Sequence, residues 1–467
     1  MAVRGIIGPM TLRTPELLAP AGSLEMLKTA FAFGATAVYA GQPRYSLRVR
    51  NNSFGSLEVL KAGIDHAHEQ GGKFFLVSNL IPHDAKLKHY VANMEPVIAC
   101  KPDAMIMSDP GLIMMAREAW PDMEIHLSVQ ANTVNSASVK FWQKVGIRRV
   151  ILSRELSLDQ VAQIRQECPD MELEVFVHGA LCIAFSGRCL LSGYLNHRDA
   201  NQGSCTNACR WDYKTHAAEV DASGDVLSPP AKTAGGCASQ GGGQTLPEEA
   251  RNSISYLLEE SKRPGEFMPI EEDEHGTYIM NSRDLRAIEH IQRLVEIGVD
   301  SLKIEGRTKS PYYVARTCQS YRAAIDDAVA GRELNPQLLG QLEGLANRGY
   351  TSGFFQRHTP EATQNYLRGF SESGRSQYVA DVLEFDAARG LAKVNVRNKF
   401  AVGDWLEILH PSGNFDVQLT HMENADAQSV QVAPGSGHTL WIPLPETAVG
   451  AFVARYLNAR DEAALSA

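Results

Sequence analysis

The chain has no surplus of positive charge: 45 Lys and Arg stand against 54 Asp and Glu, a formal net charge of −9 over 467 residues. This excludes a protein that grips nucleic acid with its whole surface, so any contact with RNA must rest on a local cluster. No stretch approaches ~20 uninterrupted apolar residues, and no membrane span is expected. The N-terminal MAVRGIIGPMTLRTPELLAPAG lacks the apolar core and flanks of a secretory signal. Both absences predict a cytoplasmic protein. Aromatic residues make up 7% and charged residues 21%, which is not the composition of a disordered chain.

What is present is a large apolar fraction, 44%, enough for a substantial core. The length suggests two or three domains. Eight cysteines in a reducing compartment point to metal or redox chemistry more than to structural disulfides.

Nine short apolar runs alternate with helical patterns up to about Arg307. They are ELLAP, AVYAG, KFFLVSN, AMIMSD, EIHLSVQ, RRVILS, LEVFVHG, TYIMNS and SLKIEG. Continuous runs of this kind suit parallel strands covered on both faces. Repeated βα units of about 25–35 residues favour an α/β fold of the (β/α) TIM-like barrel type. Nine runs are one too many, so one is an edge element or the barrel is distorted. Residues 1–310 are thus expected to form the barrel. Residues 216–276, rich in Gly, Pro, Ser and Ala, read as a flexible insertion with one short helix at NSISYLLEESK. Residues 311–370 read as a helical extension. Residues 371–467 contain YVADVLEF, LAKVNV, DWLEIL, FDVQLTHM, SVQVA and TLWIPL, the pattern of a small C-terminal antiparallel β domain.

Polar residues end many of the apolar runs, among them Asn79, Asp109, Ser153, Arg154, His178, Asp284, Lys303, Glu305 and Arg307. In a barrel these positions form the mouth, where active sites sit. Helix capping is the plainer role for Asp109, Ser153 and Asp284. His178, Asp284 and Glu305 are the candidates for handling protons, by position.

Four cysteines, Cys182, Cys189, Cys205 and Cys209, fall within 28 residues just after the run EVFVHG. Their spacings of seven and four bring each pair to one face. Two such pairs could ligate Zn²⁺ or an iron–sulfur cluster; gaps wider than the C-x₂-C of zinc ribbons lean towards a cluster. Cys100, Cys168 and Cys318 read as packing residues, and Cys237 sits in a Gly-rich tract. A second constellation is GQPRYSLRVRNN, with Arg44, Tyr45, Arg48 and Arg50; KIEGRTKSPYY repeats the theme with Lys303 and Arg307. Guanidinium groups pair with phosphate or carboxylate, and Tyr offers a stacking face. These six are the candidate substrate-binding residues. The plain alternative is two solvated loops.

The segment EVFVHGALCIAFSGRCLLS, extended through GYLNHRDANQGSCTNACRW and joined by VYAGQPRYSLRVRNN, HLSVQAN and SLKIEGRTKS, resembles peptidase family U-32, in its RNA-hydroxylating branch. The resemblance runs from about Pro15 to Tyr456. It implies an oxygen-independent tRNA uridine hydroxylase that forms 5-hydroxyuridine at the wobble position of the anticodon loop. It also implies a [4Fe–4S] cluster on Cys182, Cys189, Cys205 and Cys209, with prephenate as the small anionic co-substrate. Neither the residues nor the resemblance names a redox partner. Two other readings stand beside it. One is a collagenase-like peptidase, with His178 and Cys182 as a dyad. The other is a non-catalytic RNA-binding protein with structural zinc.

Overall fold

Six helices begin where the sequence supplies a cap. Ser23, Ser56, Asp109, Asn135, Ser157 and Ser310 each accept a backbone N–H from the first turn that follows, an interaction worth about 0.5–2 kcal/mol. In the computed structural model, residues 12–41, 44–47, 53–181, 284–345, 349–356 and 376–457 are described in full, together with the backbone of short strands between 213 and 277.

Eight of the nine apolar runs are barrel strands: β1 Glu16–Pro20, β2 Ala37–Gly41, β3 Lys73–Ser78, β4 Ala104–Met107, β5 Ile125–Leu127, β6 Arg149–Ile151, β7 Glu172–Ala180 and β8 Ser301–Ile304. Each is parallel to its neighbour in chain order, and β8 pairs with both β7 and β1, which closes the barrel. Leu17, Leu18, Val38, Phe74, Leu76 and Leu302 are wholly buried, each contributing roughly 1.5–3 kcal/mol. The helices covering them are α1 Leu24–Ala32, α2 Leu57–Glu69, α3 Tyr90–Ile98, α4 Pro110–Ala119, α5 Ser136–Lys144, α6 Leu158–Glu167, α7 Ile291–Ile297 and α8 Pro311–Val329.

The barrel closes without the ninth run. Thr277 of that run closes the strand Gly276–Thr277, which pairs with Phe267–Asp273; the rest of TYIMNS lies outside the described residues. The helix expected at NSISYLLEESK is also corrected. Ser255–Glu260 is a strand, antiparallel to Tyr213–Ala217 on one side and to Phe267–Asp273 on the other. Two flanking partners satisfy its backbone in a way that a two-turn helix between Gly- and Pro-rich tracts could not match. At the other end of the barrel domain, α8 packs on α1, α7 and β1. It is the barrel's eighth helix, so the stretch expected as a helical extension begins with barrel structure.

One irregularity matters for the site. Lys303 pairs with Phe176, but the next residue, Ile304, pairs with His178. Val177 is therefore an extra residue on β7, a bulge of the kind that re-aims side chains.

The C-terminal domain is an antiparallel sheet of β9 Ser376–Asp386, β10 Leu391–Val396, β11 Trp405–Leu409, β12 Phe415–Gln418, β13 Thr439–Ile442 and β14 Phe452–Tyr456. Its order is β12-β11-β14-β9-β10-β13. The central β14 was absent from the runs read in the sequence. The domain has its own core around Val382, Val394, Leu406, Ile408 and Val453. It is docked on α8: Tyr312 stacks on Tyr378 with centroids 4.7 Å apart, and Arg316 makes a two-pronged bond to Glu407.

Candidate functional site

The barrel interior holds a chain of charge. Arg149 Nη1 lies 2.6 Å from Glu16 and 3.2 Å from Glu174, and its Nη2 lies 2.9 Å from Glu172. Glu174 carries the chain upward to Lys303, whose Nζ is 2.8 Å from its other oxygen. All five residues occupy the first or third position of a strand, where alternation turns side chains inward. Burial alone would raise the Glu174 carboxyl, but Lys303 and Arg149 reverse this and hold it below the ordinary carboxylate range. Wholly buried His126 bonds Glu124 at 2.8 Å and meets Phe75 edge-on; burial lowers its pKa.

Above this chain lies the mouth. The Arg154 guanidinium sits 3.7 Å from the centre of the Phe176 ring, and its Nη2 is 3.5 Å from Glu305 Oε2. Lys303 Nζ lies 4.3 Å from the centre of the Tyr39 ring, and the Tyr39 hydroxyl donates to the Ile304 carbonyl at 3.0 Å. Arg307 faces the same tyrosine at 5.7 Å and donates to the Leu47 carbonyl at 3.0 Å. A Cβ at Gly41 would collide with Ser46 Oγ and stand 2.7 Å from Arg307 Nη1, so a larger residue there would crowd Ser46 and displace the guanidinium. The mouth is thus two cations, Arg154 and Arg307, spread over aromatic faces and flanked by one carboxylate. That set suits an anionic, planar or unsaturated ligand.

The sequence-derived candidates are distributed unevenly over this site. Glu305 is at the mouth. His178 is not: the bulge turns its ring among Tyr313, Tyr321 and Tyr350. The Tyr321 hydroxyl donates to the Val177 carbonyl at 2.7 Å and accepts from His178 Nδ1 at 3.2 Å. Burial pushes the His178 pKa down to about 3, so the ring is neutral near pH 7. Asp284 is 4% exposed and pairs through its backbone with Ala180, the last residue of β7. Asp109 caps α4 as expected; Ser153 instead donates to Asn132 Oδ1 at 2.7 Å.

Lys303 lies in the interior with its ammonium committed to Glu174. Tyr45 is 1% exposed, edge-on to Tyr90 and hydrogen-bonded by Asn93, so its ring offers no open stacking face. Arg44 is exposed and donates to Asn93 Oδ1 at 2.7 Å. Cys182, Cys189, Cys205, Cys209, Cys237, Arg48 and Arg50 lie outside the described residues. Cys100, Cys168 and Cys318 are buried and free. Among the described residues no group of three or more His, Cys, Asp and Glu could hold a metal ion, and no helix is long and apolar enough to cross a membrane.

The sequence reading gave Arg154 no binding role and passed over Phe176 and Tyr39. The available signal was parity: Phe176 is two residues from Glu174 on the same strand, so both share the inward face.

Residues 22–365 match the model of peptidase family U32, and residues 374–455 match that of the peptidase family U32 C-terminal domain. The chain belongs to peptidase family U32. This U32 chain is 57% identical to tRNA hydroxylation protein P of Escherichia coli over 92% of its length and 94% of the relative's. It is 54% identical to tRNA hydroxylation protein P of Haemophilus influenzae, again over 92% and 94%. A Porphyromonas gingivalis protein named collagenase is 27% identical over 94% and 96%.

Proposed function

We propose that this U32 protein is a cytoplasmic tRNA hydroxylase that converts wobble uridine to 5-hydroxyuridine without molecular oxygen, using a [4Fe–4S] cluster and prephenate. The observation that carries this reading is where β7 ends. The strand passes Glu305 at Gly179, pairs with Asp284 at Ala180 and leads in sequence directly into the four-cysteine segment, while Arg154 reaches the same Glu305. The similarity to the two proteins named tRNA hydroxylation protein P supports the same substrate.

The donor set fits the group. Four thiols within 28 residues, in a chain whose other described cysteines are buried and apart, match the all-thiolate ligation of iron–sulfur clusters. Cys182, Cys189, Cys205 and Cys209 would hold the cluster, which supplies redox and Lewis-acid capacity when bound. The protein's own residues have separate tasks. Arg154 and Arg307 hold carboxylate or phosphate. Phe176 and Tyr39 give their cations apolar backing. Glu305 fixes the Arg154 guanidinium and is the carboxylate placed to accept a proton at the mouth. The anticodon loop is single-stranded, so presenting its base requires no duplex to be opened.

The peptidase reading needs His178 as a base for Cys182. Enclosure by three tyrosines and a pKa near 3 weigh against it.

The test is anaerobic purification with iron, sulfide and zinc analysis, followed by incubation with tRNA lacking the modification plus prephenate and nucleoside mass spectrometry. About four irons and four sulfides per chain, with 5-hydroxyuridine formed only when prephenate is present, is the expected result. Stoichiometric zinc without sulfide would sink the cluster and promote the structural-zinc reading.

A further inference from the structure

Some cations of the described surface have acidic partners, and others, such as Lys28, Lys101 and Lys399, make no ion pair among the described residues. Lys61 pairs with Asp65, Lys140 with Glu167, Arg332 with Asp327 and Lys393 with Glu384. The loop that leaves β3, with sequence IPHDAKLKHY, brings two such unpaired lysines within three residues of each other. It carries Lys86, Lys88, His83 and His89 against the single carboxylate of Asp84, and neither lysine makes an ion pair among the described residues. In a chain of net charge −9, this is a concentration of uncompensated positive charge.

The loop is also held in place. Leu80 N donates to the Tyr45 carbonyl at 3.1 Å, and Leu47 N donates to Asn79 Oδ1 at 3.2 Å. Asn93 at the start of α3 bonds both the Tyr45 hydroxyl and Arg44. Residues 44–47 after β2 and the start of the loop after β3 are therefore fastened into one rim on the strand-C-terminal side of the barrel, the side on which the chain leaves β7. A backbone held in this way presents its lysines to a polyanion with less loss of chain freedom than a mobile one.

We propose that this rim is the docking surface for the tRNA sugar–phosphate backbone, with Lys86 and Lys88 neutralising phosphates on either side of the nucleotide held at the mouth. The inference rests on the reading of the protein as a tRNA hydroxylase. It adds where the RNA is gripped: by the loop after β3, and not by the C-terminal sheet, whose cations Arg389, Lys393 and Arg397 are paired with Glu423, Glu384 and Asp381. Backbone recognition of this kind is electrostatic and independent of sequence.

The experiment measures binding of an unmodified tRNA transcript to the full chain at several salt concentrations. It compares wild type with Lys86→Ala/Lys88→Ala, Lys86→Arg/Lys88→Arg, and the control Lys140→Ala/Lys144→Ala on α5. Removing two phosphate contacts lowers the slope of log Kd against log salt by about 1.4 and weakens binding about tenfold near physiological salt. The arginine pair retains the slope, and the α5 control behaves as wild type. If the wild type binds and hydroxylates tRNA while the alanine pair keeps its slope and affinity, the rim is not the docking surface although the enzyme reading stands. If the α5 control loses as much as the rim pair, the effect is one of net charge and the proposal is overturned. If the wild type binds no tRNA, the proposal fails together with the reading on which it rests.

Discussion

The Lys303 ammonium lies 2.8 Å from the Glu174 carboxylate, with side-chain exposures of 3% and 0%. A pair so placed has lost its hydration, and its attraction is worth most while both members are present. Glu174→Gln is therefore expected to cost about 3–5 kcal/mol, because it leaves Lys303 and one prong of Arg149 facing a neutral amide. The double substitution Glu174→Leu/Lys303→Met removes both charges and should recover part of that loss. Urea unfolding of the three proteins at pH 7 decides it: a double variant less stable than the single would mean that packing, not charge pairing, sets the stability here. The carboxyl is held below its ordinary range, so its contribution is complete above about pH 4.3 and is lost as pH falls.

His178 gives a second, separable pH effect. Its folded pKa of about 3 lies below the unfolded value of about 6.5. Between these values the unfolded chain binds a proton that the folded chain refuses. Stability from this group is thus complete above about pH 6.5 and falls by about 1.4 kcal/mol per unit as the solution is acidified towards pH 3. His178→Gln should flatten that part of the profile. Parallel profiles for the two proteins between pH 7 and pH 5 would count against the burial argument.

Arg154 is stacked on Phe176 and tethered by Glu305. Lysine keeps the charge but not the planar fork or the stack. Arg154→Lys is expected to raise the KM for the proposed anionic co-substrate about tenfold or more while moving the melting temperature little. Glu305→Gln, which leaves the guanidinium untethered, should alter kcat as well. An Arg154→Lys enzyme with wild-type KM would remove Arg154 from the anion site.

The barrel was legible in the sequence because eight strands are buried on both faces and announce themselves as unbroken apolar runs. The charged interior was not. Glu16, Arg149, Glu174 and Lys303 come from four strands spread over most of the chain, and strand period says which residues share a face without saying what lies across the barrel. Lys303 therefore read as a mouth cation by its nearness to Arg307, and Tyr45 as a stacking face by its arginine neighbours. Ser255–Glu260 misled for another reason: its strand identity comes from the partners on either side, and a short apolar stretch carries no record of them. β14 escaped because its apolar stretch, Phe452 to Ala454, is brief, follows a turn and is broken by Arg455, although the strand lies in the middle of its sheet. The cysteine spacing and the strand-end polarity were legible without any fold, since both are local in sequence.

The extra residue in β7 acts like a shift of reading frame. Up to Phe176 the strand spells its message in even numbers, and Glu172, Glu174 and Phe176 address the interior. After Val177 the frame changes, and His178 is delivered to the tyrosines of the outer shell. Gly179 then passes so close to Glu305 that an added Cβ would lie 2.5 Å from its carbonyl oxygen. Deleting Val177 would remove the bulge and leave His178 directly after Phe176, still opposite Ile304 and on the outward face. The chain that departs at Leu181 is one residue out of step with the chain that entered at Glu172, so the lower half of the strand serves the fold and the upper half sets the heading of whatever follows.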